Sequence, residues 1–241
     1  MPSPKSVSFE IADRLRQEIL TGQYRVGERM PSERDLATRF EVSRGAVREA
    51  LSQLEQQGVI EIMPGGARVQ PLEKASIAVL GPLLALKDVP DPDLVDQFME
   101  IFSMLTGLSV RGAIEQASAD QMIQLQGMLV DLSHNAEDFI KMHPFWQSML
   151  ECMAGIDTNL VAKLIGNDVR AQVVEQMLKL DVRPKLPANS GSELVNALQT
   201  AFAERNGVMA AQAFEKHFDQ LRQAIRDALE HLQRPYQRKF G

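Results

Sequence analysis

Residues 30–62, MPSERDLATRFEVSRGAVREALSQLEQQGVIEI, contain two amphipathic segments so short and so closely spaced that neither can bury its apolar face alone. Ser32 precedes Glu33-Arg34-Asp35, and a serine with an acid three positions on is close to a capping box, which predicts a helix start. That helix presents Leu36, Ala37 and Phe40 to a core. Ser43 is a second N-cap, and the intervening Glu41-Val42 leaves room only for a sharp turn. The second helix is expected over about 44–57, with Ala46, Val47, Ala50, Leu51 and Leu54 as its inner face. Arg44 and Arg48, four apart, share the outer face near its N-terminus, and Ser52 follows them.

The flanks extend the pattern. Ile11, Leu15 and Ile19 recur every four residues and predict an amphipathic helix over 8–20. Gly22 and Gly27 bound a turn-like segment containing Tyr24 and Val26. After Gly58, short strands at 59–63 and 67–70 surround Pro64-Gly65-Gly66. Helix, turn, helix and glycine hairpin together describe a winged helix-turn-helix, whose second helix offers its N-terminal residues to the DNA major groove. The candidate DNA-binding residues are therefore Arg34, Ser43, Arg44, Gly45, Arg48, Gly66 and Arg68. Arg34 would reach a flanking phosphate, and the small Gly45 and Ala46 would allow close approach. Arg68 would follow the backbone or minor groove.

The chain has 241 residues and a formal charge of −6, so nonspecific polyanion binding by its whole surface is not expected. Residues 1–70 carry ten lysines and arginines and ten acids, which leaves the acidic excess to the remainder. A neutral reader still binds DNA when its basic residues converge on one face. One cysteine, Cys152, excludes an internal disulfide framework and fits a reducing compartment. No signal segment and no run of eighteen apolar residues occurs, so a cytoplasmic location with no membrane partner is expected.

From Gly27 to Val69 the sequence resembles the DNA-binding domain of the GntR family of bacterial transcription regulators. The resemblance is carried by Pro31-Ser32-Glu33-Arg34-Asp35-Leu36, Val42-Ser43-Arg44, Val47-Arg48-Glu49-Ala50-Leu51 and Leu54-Glu55-Gln56-Gln57-Gly58. It implies that Arg34, Arg44 and Arg48 contact an operator and that the wing around Gly66 reaches the minor groove. Pro64-Gly65-Gly66-Ala67 departs from the many relatives with a basic residue between the wing glycines.

Beyond a linker at 71–76 only helical patterns follow. An apolar stretch over 75–87 breaks at Gly81-Pro82, and Asp91-Pro92-Asp93 starts a helix that continues through Ile114. Further helices are expected at about 119–132, after Pro144, at 159–180, at 191–205 and at 208–231. The expected architecture is mainly α: a winged helix-turn-helix with a small β-wing at 1–70, then a bundle of six or seven helices at 77–233. Residues 234–241 are expected to form a flexible basic tail. The patterns at 84–96 and 210–217 resemble the all-helical effector-binding and dimerisation domain of the FadR-type subfamily.

Many such domains hold a divalent metal through one Asp and three His. By that resemblance Met142 stands where the Asp belongs, Trp146 and the apolar Leu194–Val195 pair replace two histidines, and His217 matches the last. Asp138 and His143 are five apart, with Pro144 beside them, and do not make the usual one-face pair; Asp131 and His134 read as solvated. No metal or other cofactor is expected. Met142, Phe145, Trp146, Met149 and His217 are instead the candidate effector residues, with apolar, adaptable volume suited to an acyl or partly apolar metabolite.

No nucleophile elbow, P-loop or dinucleotide fingerprint occurs and no catalytic cluster assembles, so no catalytic residue and no enzyme activity are expected. The leading expectation is a ligand-responsive repressor, acting as a homodimer on inverted-repeat operator DNA. The alternatives are a DNA-binding adaptor without an effector, or a regulator using a metal-bound small organic acid.

Overall fold

Three short helices close the first core. In a computed structural model of the chain, α1 (Val7–Leu20), α2 (Glu33–Phe40) and α3 (Arg44–Gln56) converge through Ile11, Leu15, Leu36, Val47 and Leu54, all buried. The structure describes residues 6–136, 139–179 and 184–240, with side chains at all of these except 139–140, 170–179 and 234–240. Both expected serine caps form: Ser32 Oγ accepts from the Asp35 amide and Ser43 Oγ from the Ala46 amide, each at 3.2 Å. α2 ends at Glu41, whose left-handed backbone (φ 55°) makes the sharp turn into α3.

Strands β1 (Ile60–Met63) and β2 (Gly66–Val69) pair antiparallel, with Ile60 opposite Val69 and Met63 opposite Gly66. Only Pro64 and Gly65 remain in the turn, and Gly65 takes φ 106°, open to glycine alone at little cost. Residues 27–30 lie along the outer side of β2: Gly27 N donates to Val69 O, Met30 N to Ala67 O, and Val69 N to Glu28 O. This side strand contains one bridge pair, Arg29 opposite Arg68. Gly58 turns the chain from α3 into β1 at φ +72°, where a Cβ would stand 2.5 Å from the Lys74 carbonyl oxygen.

The chain divides into two compact units, residues 1–88 and 89–241. The expected linker at 71–76 contains a 3-10 turn, Leu72–Lys74. Val79 is buried in the core of the first unit and Leu83 packs against it, so 77–84, expected with the bundle, belong to the first unit instead. Gly81-Pro82 does not break the chain there. It lies in the first turn of α4 (Leu80–Leu84), where proline's missing amide costs nothing.

The second unit is built on α5 (Pro92–Gln116), capped by Asp91 with Pro92 in the first turn, and on α10 (Gly207–Phe240), which packs along it. Arg222 and Arg226 of α10 meet Asp96 of α5 at 3.3 and 3.5 Å, and Arg226 also pairs with Asp93. Around this pair stand α6 (Ala119–Ser133), α7 (Phe139–Ile156), α8 (Leu160–Lys179) and α9 (Ser190–Ala203). α7 begins before Pro144 and contains it, where a break was expected. Met142, Trp146, Met149 and Met153 are buried at helical spacing, and their shared face carries the helix across the lost amide hydrogen bond. α10 likewise runs to Phe240, through most of the expected tail. Asp138, Leu180 and Gly241 lie outside the described residues. Among the described residues no helix is long and apolar enough to cross a membrane.

Leu36 is fully buried on a helix of only eight residues, so Leu36→Ala should cost roughly 2–5 kcal/mol. Denaturant unfolding followed by circular dichroism should move the transition of the first unit to lower denaturant.

Candidate nucleic-acid interface

α3 presents one face to the core and an uninterrupted polar face to solvent. Arg44, Gly45 and Arg48 are exposed on its first two turns, and Ser43 caps them. Gly45 adds no side chain there: a Cβ would meet only the Ser43 hydroxyl, at 3.7 Å. Arg34 stands exposed at the start of α2, 3.7 Å from Asp35. The sequence-predicted set of Arg34, Ser43, Arg44, Gly45 and Arg48 thus lies at the N-terminal ends of the two helices.

Arg48 is not loose. Its Nε and Nη2 donate to the two carboxylate oxygens of Glu33 at 3.1 and 2.9 Å, a bidentate pair between α3 and α2. The Arg48 hydrogen bond holds the Glu33 carboxyl below the usual range; desolvation opposes it, and the charges of Arg48 and then Arg44 add to the lowering. In so exposed a pair the contribution to stability is small, and its effect is geometric. The guanidinium is oriented before any partner arrives.

At the wing, Gly66 opens β2, and Arg68 is exposed with its Nη1 donating to the Gly27 carbonyl at 2.9 Å. Arg29 was not singled out by the sequence. Its guanidinium lies against Gly66, where a Cβ would come within 3.0 Å of Arg29 Nε, and among the described residues it forms no ion pair. The missing basic residue between the wing glycines is therefore matched by a cation supplied from the side strand. Only the bridge between Arg29 and Arg68 reveals it, and no local sequence pattern does. Like charges on opposed strand positions repel, so this edge suits a polyanion.

The position of these groups is fixed from beneath. Glu18 of α1 is buried and accepts from Arg39 of α2 (Nη1 to Oε2, 2.9 Å, with a second contact from Nη2) and from the Tyr24 hydroxyl at 3.4 Å. Arg16 is also buried, and its Nη1 donates to Gln57 at the end of α3 at 3.1 Å.

Comparison with known proteins bears on this geometry. Residues 8–69 match the family model for "Bacterial regulatory proteins, gntR family". These residues form a GntR-family helix-turn-helix domain. The chain is 30% identical over 136 residues to the HTH-type transcriptional repressor NanR of Edwardsiella tarda (strain FL6-60), which is 56% of this chain and 52% of that protein. Against NanR of Escherichia coli (strain K12 / DH10B) it is 29% identical over 136 residues, 56% of this chain and 51% of that one. The chain thus spans about half the length of the curated relatives it matches. Among solved structures, one described as "Lar controls the expression of the Listeria monocytogenes agr system and mediates virulence" superposes with a TM-score of 0.54 at 18% identity. It covers 93% of this chain and 98% of its own, a likeness of fold.

Outside the GntR-type domain, three of the five candidate effector residues are buried along α7, and one of them, Trp146, meets the fourth, His217 of α10. Met142, Trp146 and Met149 of α7 are buried, and the Trp146 ring lies 5.3 Å from His217 and 4.7 Å from Phe214 of α10. Phe145, off the centre of that face, is exposed and does not join them. Ser190 Oγ donates to Gln220 Oε1 at 2.5 Å. With that hydroxyl proton committed, the neutral imidazole of His217 donates from Nδ1 to Ser190 Oγ at 3.3 Å. Burial lowers the His217 pKa to about 4. The residues at the positions that the FadR-type resemblance assigns to metal ligands do not fit a divalent ion. They offer one imidazole among Met142, Trp146, Leu194 and Val195, all buried, and among the described residues no three His, Cys, Asp or Glu converge.

The unfolded chain takes up the His217 proton near pH 6.5 and the folded chain only near 4. Between those values the unfolded state binds more protons, so stability present above pH 6.5 falls as the pH drops toward 4, by about 3 kcal/mol from this group. Denaturant unfolding across that window should show the loss in the wild type and a flatter profile in His217→Gln.

Proposed function

We propose that the chain is a homodimeric, sequence-specific transcriptional repressor of the FadR type that binds operator DNA and responds to a small molecule. The observation that carries the reading is the group of exposed arginines on the GntR-type domain. Arg44 and Arg48 stand at the N-terminus of α3, Arg34 beside them on α2, and Arg29 and Arg68 along the wing edge. Arg48, held edge-on by Glu33, is oriented to make a bidentate contact to a guanine, while Arg34, Arg29 and Arg68 serve phosphates. The repressor names of the similar proteins point the same way.

Dimerisation is supported by the apolar exposure of the helical unit. α5 leaves Ile101, Met104 (63% exposed) and Leu108 uncovered, and its neighbour α8 leaves Leu160, Val161 (66%), Leu164 and Ile165 uncovered. Exposure on that scale along neighbouring helices marks an association surface. A second copy of the chain supplies the two-fold symmetry that an inverted repeat requires. The effector is proposed to have an apolar part and to bind without a metal, its occupancy of the helical unit coupled to operator affinity.

Arg48→Ala should weaken binding to the upstream region of the chain's own gene by roughly tenfold or more in mobility-shift assays, and leave the oligomeric state unchanged. An unaltered shift would refute the assigned role. Leu164→Glu should convert the dimer to monomer in sedimentation or light-scattering measurements. A dimer that persists in this variant would remove α8 from the interface.

A further inference from the structure

We propose that Glu33 is a positioning residue that determines DNA specificity, setting Arg48 to read a guanine and making it a weak ligand for phosphate. The inference deepens the DNA reading above and rests on it.

Glu33 opens α2, and a carboxylate on a face that meets a polyanion costs affinity. Its acidic neighbour Asp35 has a local task. It accepts from the Ser32 hydroxyl at 2.6 Å, and its amide donates back to that hydroxyl, closing the start of the helix. Glu33 takes no part in that cap and is not buried. The helix dipole favours an acid at this end but does not call for one that reaches across to α3. Among the described residues its hydrogen-bond and ion-pair partner is Arg48 alone, 15 positions on, and Arg48 bonds to nothing else.

The atoms engaged decide what is left. Nε and Nη2 of Arg48 face Glu33, so the free hydrogens are the two on Nη1 and the second on Nη2. One from each nitrogen makes a parallel pair, which fits the O6 and N7 acceptors of guanine. Adenine sets its N6 donor beside N7 and opposes that pair. The Glu33 carboxyl, held below its usual range, is ionised at neutral pH, so Glu33 and Arg48 together carry no net charge. Attraction to the phosphate backbone is long-ranged and follows net charge, whereas a guanine contact is short-ranged and follows hydrogen-bond geometry. Glu33 therefore subtracts from the part of binding common to every sequence and keeps the part that differs. Arg34, Arg29 and Arg68 remain for the backbone.

The test compares two duplexes of equal length, one selected by the full chain from a random-sequence library and one with that sequence scrambled. Mobility shifts over a salt series are read for the wild type, Glu33→Ala, Arg48→Ala and the double variant. Glu33→Ala should bind the scrambled duplex roughly threefold or more tighter, with a steeper salt dependence. Its ratio of selected to scrambled affinity should fall by roughly tenfold or more, and a repeat selection should lose the same guanine that Arg48→Ala loses. In the Arg48→Ala chain, removing Glu33 should tighten both duplexes alike and leave the ratio unmoved. A ratio unchanged in Glu33→Ala, or one that falls as far again in the double variant, overturns the role. Equal weakening on both duplexes with a lowered melting temperature also overturns it, because Glu33 then only supports α2. A wild type that selects no sequence removes the DNA reading itself, and this inference with it.

Discussion

Everything that faces outward from the first unit depends on a core that none of its parts could sustain. An eight-residue helix such as α2 is not stable alone in water, and neither is a hairpin of two four-residue strands. Leu15, Leu36, Val47, Leu54 and Ile60, each almost wholly buried, tie α1, α2, α3 and the wing into one body. The buried Glu18–Arg39 pair adds direction to that adhesion, because breaking it would strand a carboxylate in the interior. The angle between α2 and α3 is therefore set from α1.

The helical unit solves a different problem. Its long α5 and α10 already bury extensive apolar faces, and the arginine–aspartate contacts at one end fix their register. Trp146 fills the space between α7 and α10, against Phe214 and Phe218, and this leaves His217 as a neutral hydrogen-bonding group.

The local signals were the legible ones. Ser32, Ser43 and Asp91 mark helix starts because a cap is a contact over two or three residues, and all three cap as their sequence context implies. The inner face of α3 and the wing glycines were readable for the same reason. Pro144 was misread as a break because proline's local cost is visible in sequence, whereas the buried face that offsets it is not. Residues 77–84 and Phe145 depended on which surface they would meet. Arg29 and the Glu33–Arg48 pair needed partners at long sequence separation. Trp146 and His217 could be named as neighbours, but whether they lined a cavity or filled one depended on three dimensions.

Arg29 and Arg68 stand opposite each other on the edge of the wing, with no carboxylate bridging them among the described residues. In the free protein their repulsion works against the side strand, and dissolved salt relieves it. On a duplex the phosphates do that work, and dissolved salt competes with them. The same ions that quieten the unbound wing therefore loosen its grip on nucleic acid, so wing order and DNA affinity respond to ionic strength in opposite directions.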